Sequence, residues 1–306
     1  MKSEIRLKIA DVIIQMQSRF ALLQPTKEER RRLHSERFNN FFYKGKGKPE
    51  ILIKVNIVKN FPKVVGARPI FITTHFQGGE EDWSLLKKGD SYIYECHLHD
   101  RKQVVFVNKT FEKADAYLLF QEINGWSWGM GGIIYDFLQV LLINYLSLHN
   151  KGIFVHGVGL KDKNAKGLLF AGKSRAGKST SARLWHRYSN AMVLNDDRMI
   201  VRKYADKFFI YGSCWHGEFN DYLDTRIQPA PLEKLFFIYH ATRNTAKKIP
   251  AKRAFSLLYP NLFPAFWDKE SLENIASFAK DLVSTIPCYR LGFVNNKRII
   301  PFVRKI

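Results

Sequence analysis

The chain is poor in the features that would set it apart from ordinary folded proteins. It has three cysteines, Cys96, Cys214 and Cys288, odd in number and far apart, so no disulfide framework is implied. Long hydrophobic runs are missing. The most apolar window, Ile133 to Leu146, is interrupted by Asp136 and Gln139 and is too short to span a bilayer. The opening stretch MKSEIRLKIADVIIQMQ is broken by charges and lacks the apolar core of a signal peptide. These absences set the expectation of a cytoplasmic protein with no membrane role. Acidic residues are also scarce, at 28 against 49 Lys and Arg, for a formal net charge of +21. Such an excess draws polyanions: nucleic acid, an anionic membrane, or an acidic protein or peptide.

What is present fits a folded chain. Apolar residues make up 46% of 306 residues, enough for two cores. Residues 5–17 place Ile5, Leu7 and Ile9 in the alternation of a half-buried strand. A basic stretch follows, centred on Lys27–Arg32, and reads as a solvated segment. The β-rich runs 51–58, 70–75, 92–98, 104–107 and 116–120 come next, separated by turn-forming glycines. Together they predict a small, mostly antiparallel, basic region over residues 1–130. Within it Cys96, His97, His99 and Asp100 invite a metal reading, but no second cluster at ligand spacing accompanies them. The segment Trp126–Gly132 reads as a turn into a helix over 133–149.

Residues 131–306 alternate apolar runs with helical patterns. The runs Leu168–Ala171 and Leu235–Tyr239 are continuous, as in strands covered on both faces, and helices are expected over 178–188, 251–258 and 271–283. This is an α/β layer arrangement. Within it, Gly172-Lys173-Ser174-Arg175-Ala176-Gly177-Lys178-Ser179 has the spacing G-x-x-x-x-G-K-S, with Thr180 following. That is a phosphate-binding loop: glycines let backbone N–H groups turn onto a polyphosphate, Lys178 reaches its β/γ end and Ser179 ligates Mg²⁺. Two adjacent carboxylates, Asp196 and Asp197, stand where a following strand should end. Beside a phosphate loop, one such acid can hold Mg²⁺ and the other can accept the proton of an attacking hydroxyl. Asn-Asp-Asp is also good Asx-turn chemistry. His156, in a strand upstream, reads on pattern alone as a hydrogen-bonded core residue.

The ordered succession Val155-His156-Gly157, Gly172 to Ser179, and Leu194-Asn195-Asp196-Asp197 resembles the catalytic domain of the HPr kinase/phosphorylase family, over roughly residues 150–300. The resemblance implies a P-loop kinase-like domain on a mixed sheet, shared in outline with the ATP-dependent phosphoenolpyruvate carboxykinases. It implies Mg²⁺-dependent phosphoryl transfer from ATP to a serine-type hydroxyl. Carried over residue by residue, it makes Lys178 the loop lysine, Ser179 and Asp196 metal ligands, Asp197 the catalytic base and His156 an active-site histidine. Where the family's loop serine is followed by glutamate, this chain has Thr180. The family's downstream metal-associated glutamate corresponds in position to the segment Gly212–Glu218, so Glu218 is the candidate third metal ligand.

The expected function is therefore an ATP-dependent kinase, capable of homo-oligomerisation, acting on an acidic protein, peptide or small-molecule hydroxyl acceptor. Two alternatives are the same chemistry on a nucleic-acid acceptor and a non-catalytic ATP-gated binding protein. The exposed cations Arg30, Arg31, Arg32 and Lys44–Lys48 are the expected docking residues for an acidic partner.

Overall fold

The computed structural model describes residues 3–19, 40–74, 81–96, 102–119, 137–173, 175–217 and 228–306. Several expectations fall outside these residues: the Lys27–Arg32 stretch, His97, His99, Asp100, the Trp126–Gly132 turn, Ser174 and Glu218. The chain divides into two compact units, Met1–Tyr145 and Leu146–Ile306, later than the boundary at residue 130 drawn from the sequence.

The first unit is built on one eight-stranded sheet. Its strands are β1 (Ser3–Ile9), β2 (Val12–Ser18), β3 (Ile51–Val58), β4 (Arg68–Thr74), β5 (Glu81–Lys88), β6 (Ser91–Cys96), β7 (Gln103–Val107) and β8 (Lys113–Leu119), in the order β1-β2-β3-β8-β7-β6-β5-β4. The single strand expected over 5–17 is a hairpin, because Ala10 and Asp11 both adopt left-handed φ (48° and 61°) and reverse the chain in two residues. The sheet is mostly antiparallel, as expected, but not purely so: five of its seven pairings are antiparallel, and β3 runs parallel to both β2 and β8. Strand β5 has no counterpart in the sequence reading. Its Glu-Asp-Trp-Ser-Leu-Leu-Lys-Lys offers too few apolar positions to alternate visibly, and cross-strand pairing with β4 and β6 holds it in place. Leu7, Ile14, Ile53, Val105 and Ala116 are fully buried on the inner face. Phe137, at the head of helix α1 (Leu138–Leu148), packs against Tyr94 with ring centroids 5.4 Å apart.

The second unit holds the remaining strands: β9 (Gly152–Lys161), β10 (Gly167–Ala171), β11 (Met192–Asn195), β12 (Arg198–Tyr204), β13 (Lys207–Tyr211), β14 (Ala230–His240), β15 (Thr245–Lys248) and β16 (Cys288–Phe293). Helices α2 (Lys178–Tyr188), α3 (Ala251–Leu258), α4 (Lys269–Thr285) and α5 (Ile299–Lys305) complete it. The sheet order is β10-β9-β12-β13-β14-β16-β15, with β11 beside β9 and a further parallel pairing of β10 with β14. This sheet is also mixed, so the protein is an α/β chain with two mixed sheets.

The continuous apolar runs are explained by a core on each face. On one, Leu169, Ala171, Leu235 and Phe237 pack with Ala254 and Leu258 of α3 and with Ile275, Phe278 and Leu282 of α4. On the other, Leu168, Phe170, Phe236 and Ile238 pack with Ala182 and Trp185 of α2 and with Ile299, Ile300 and Val303 of α5. Helix α4 starts at Asp268, whose carboxylate accepts a hydrogen bond from the Ser271 N–H at 2.7 Å.

Trp185 is fully buried against Phe170 and anchors α2, the helix behind the glycine-bearing loop that follows β10. Its replacement by alanine leaves a cavity that the second core cannot refill. Trp185→Ala should cost about 3–5 kcal/mol, read as a lowered denaturant midpoint at unchanged slope. A loss under about 1 kcal/mol would contradict this packing.

Candidate active site

Three neighbouring strands assemble the site. Ala171, the last residue of β10, pairs with Gly157 of β9. On the other side of β9, the Gly157 N–H donates to the Asp197 carbonyl at 3.0 Å. One rung across the sheet thus aligns the entry to the phosphate loop, the His156-Gly157 pair and the Asp196-Asp197 pair. Strands β11 and β12 form one line antiparallel to β9: Val193 pairs with Leu160, Asn195 with Gly159 and Arg198 with His156. A register shift between Val193 and Asn195 absorbs Leu194 as a bulge, a device that re-aims the residues after it.

The acids sit in a turn built by Asn195. Its Oδ1 accepts from the N–H groups of Asp197 and Arg198, both at 2.8 Å, and its Nδ2 donates to the carbonyls of Ser213 and Trp215, both at 3.0 Å. Asn195 is fully buried with both ends of its amide engaged. The Asx turn that the sequence offered as an alternative does exist. Its turn-forming side chain is Asn195, so neither aspartate is consumed by it.

The two aspartates then part. Asp196 points inward, 2% exposed, and its Oδ1 accepts from the Gly217 N–H at 2.8 Å. A Cβ on Gly217 would lie 2.7 Å from Asp196 Oδ2, so a larger residue there would have to displace the carboxylate. Asp197 stays partly open. His156 Nε2 lies 3.1 Å from its Oδ1, and Arg198 Nη1 bonds its Oδ2. Arg198 is in turn stacked over Phe263, 4.6 Å from the ring centroid. Burial raises the Asp197 pKa, but the hydrogen bond from His156 and the charges of Arg198, His156 and Lys178 outweigh it and hold the carboxyl below its ordinary range.

The candidate phosphate loop, which opens at Gly172, runs from β10 to α2. Arg175 and Gly177 take left-handed φ, 62° and 99°. Gly177 also lies where a Cβ would come within 2.9 Å of the Phe293 ring, so glycine is needed there for conformation and for space. Helix α2 begins at Gly177 with no side-chain cap. The Lys178 ammonium is buried and donates to the carbonyls of Gly172 at 2.9 Å and Lys173 at 3.0 Å. Burial lowers its pKa, and the charge of Asp197 pulls the other way, which places the two groups within electrostatic reach. Ala176 is buried, Lys173 is exposed, and Ser179 and Thr180 are half-buried. His240, at the end of β14, has Nε2 2.7 Å from the Arg175 carbonyl and braces the loop from outside.

The structure therefore brings together Lys178, His156, Asp196, Asp197 and the loop residues around Lys178. Asn195, Arg198, Gly217 and His240 were not singled out from the sequence. Asn195 and Arg198 flank the acid pair, and that adjacency was the available signal. Among the described residues, no group of three or more His, Cys, Asp or Glu could hold a metal ion without other donors. Cys96 is buried and forms no disulfide among the described residues.

No family model matches the sequence, and no curated protein matches it. Among solved structures, the chain is similar to the Hpr(Ser) kinase/phosphatase from Coxiella burnetii, at 12% identity and a TM-score of 0.31, over 50% of this chain and 94% of that one. A likeness at that level carries no functional argument. Among the described residues, no helix is long and apolar enough to cross a membrane.

Two outcomes test this geometry. Asn195→Asp removes both Nδ2 donors and sets a buried carboxylate against two carbonyls. It should destabilise the protein by about 2–3 kcal/mol, and a neutral change in the unfolding midpoint would refute the anchoring role. A folded-state pKa below the unfolded one means that Asp197 contributes stability above pH ~3.9, lost as pH falls through the lower folded value. Carboxyl titration by NMR should find Asp197 protonating below the ordinary carboxylate range, and His156→Ala should move its pKa upward. An Asp197 that protonates at or above the ordinary range in the wild type would contradict the arrangement.

Proposed function

We propose that this chain is an ATP-dependent phosphotransferase that moves the γ-phosphoryl group to an aliphatic hydroxyl of a protein, peptide or small molecule. The observation that carries the reading is the strand rung that sets the loop of the buried Lys178 beside Asp197, a carboxylate itself held by His156 and Arg198. A structural turn has no need of a phosphate loop on the same rung. A nucleotide-binding switch can use one acid for its metal but has no need of a second placed as a base.

The residues present fit a polyphosphate and a divalent cation. The left-handed residues Arg175 and Gly177, the uncapped start of α2 and the Lys178 ammonium supply donors and positive charge. Ser179 and Asp196 would hold Mg²⁺, whose charge neutralises the phosphate oxygens when bound. Lys178, now bonded to two loop carbonyls, would exchange them for phosphate oxygens. Asp197 keeps lone pairs beyond those taken by His156 and Arg198, and these can accept the hydrogen of an acceptor hydroxyl. A carboxylate held below its ordinary pKa is a weak base. It therefore suits a loose transition state, in which the acceptor oxygen keeps its proton until late and orientation contributes most. Glu218 lies outside the described residues and has no part in this reading.

The test uses the full chain, Mg²⁺ and γ-labelled ATP, with pooled hydroxyl-bearing peptides as acceptors. Lys178→Ala should lose nucleotide-dependent thermal stabilisation and transfer together. Asp197→Asn should keep the thermal shift and lose transfer by about 10²-fold or more. Absence of any ATP–Mg²⁺ shift in the wild type would overturn the nucleotide site. Full transfer activity in Asp197→Asn would overturn its role as base.

A further inference from the structure

The positive charge is not evenly shared between the two units. Residues 1–145 carry 22 basic and 16 acidic side chains, a net of +6, whereas residues 146–306 carry 27 and 12, a net of +15. Within the second unit the acids also withdraw from particular elements. No Asp or Glu occurs in 234–267 or in 282–306. Nearly all of β14, and the whole of β15, α3, β16 and α5, therefore lack carboxylates.

The fold concentrates this imbalance on one edge. Strand β15 ends the sheet, and its Lys247 pairs directly across from Arg290 of β16. Two like charges at directly opposed sheet positions repel each other. Arg290 is stacked over the half-exposed ring of Tyr239, 4.4 Å from the centroid, which holds its guanidinium on the same edge as the Lys247 ammonium. Lys248 follows, exposed but on the opposite face of the edge strand, and the chain then enters α3, whose first turn presents exposed Lys252 and Arg253 where an acid would ordinarily complement the helix dipole. Lys on an edge strand can serve simply to block strand addition. That role explains Lys247 and Lys248 but not Arg290 on the inner strand, nor the cations of α3. Tyr259 follows Lys252 by seven residues and so lies on the same side of α3, about 10 Å further along, exposed and packed on Phe255 at 5.4 Å.

We propose that the β15–α3 edge, with Lys247, Lys252, Arg253 and Arg290 as cations and Tyr239 and Tyr259 as ring platforms, is a binding surface for single-stranded nucleic acid. The cations supply a track for a phosphodiester backbone, and exposed rings spaced along it are what unpaired bases stack on. An acidic polypeptide would satisfy the charge and leave the rings without a purpose. An anion lying between Lys247 and Arg290 turns their repulsion into a shared attraction. The inference does not depend on the phosphotransferase reading, since none of these residues belongs to that site.

The experiment is fluorescence anisotropy of a labelled mixed-sequence single-stranded 16-mer with the full chain at several salt concentrations. Lys247→Ala with Arg290→Ala should weaken binding by about tenfold or more and reduce the magnitude of the log–log salt slope by about 1.4, two contacts at about 0.7 each. Tyr259→Ala should weaken binding with the slope unchanged, because it removes stacking and no charge. The charge-matched control, Lys59→Ala with Lys63→Ala at exposed positions of the first unit, should change affinity less than twofold. Circular dichroism checks that each variant is folded. Equal losses in the control and edge variants would mean non-specific attraction to a basic protein and overturn the proposal. Equal competition by polyglutamate of matched charge would assign the edge to acidic polypeptides and overturn it as well.

Discussion

The side-chain amide of Asn195 is the interaction on which the candidate site depends. Its oxygen gathers the N–H groups of Asp197 and Arg198, and its nitrogen fastens the same turn to the carbonyls of Ser213 and Trp215. Two strands that could have run on as a regular ladder instead break at one point. Two carboxylates leave the break in different directions. Asp196 turns into the protein toward the Gly217 N–H, and Asp197 turns out toward His156, Arg198 and the field of Lys178. A buried amide with every hydrogen-bonding group engaged can fix such a turn because any rotation would strand a polar atom out of reach of water.

The rest of the second unit supports that point. The rung Ala171–Gly157–Asp197 sets the phosphate loop and the acid pair at the same height in the sheet. The cores on the two faces hold β10 and β14 rigid beneath it. His240 and Phe293, from the ends of β14 and β16, press on the loop near Arg175 and Gly177. The site thus stands on strand ends packed from both sides, where positioning is cheapest to maintain.

Much of this was legible in the residues. Gly172 to Ser179 declared a strand–loop–helix unit because glycine spacing and a following amphipathic segment are local signals. The continuous apolar runs of β10 and β14 declared strands covered on both faces. The acid pair was legible as chemistry but not as geometry. Nothing local says that Asn195, and not an aspartate, makes the turn, since that choice depends on Ser213 and Trp215, eighteen and twenty residues away. His240 and Gly217 were hidden for the same reason. The first unit was read less well. A two-residue turn at Ala10-Asp11 has none of the glycine or asparagine that usually marks one, and parallel pairing of β3 leaves no trace in alternation. Strand β5 is set by its neighbours more than by its own composition.

The central claim is that the phosphate loop and the Asp196-Asp197 turn form one ligand site. It is tested most directly by hydrogen exchange on the full chain with and without a non-hydrolysable ATP analogue and Mg²⁺. The account predicts slowed exchange at two separate stretches at once, residues 172–180 and 195–198, with the β15–α3 edge unchanged. Protection confined to the loop, or to neither stretch at saturating analogue, would contradict it.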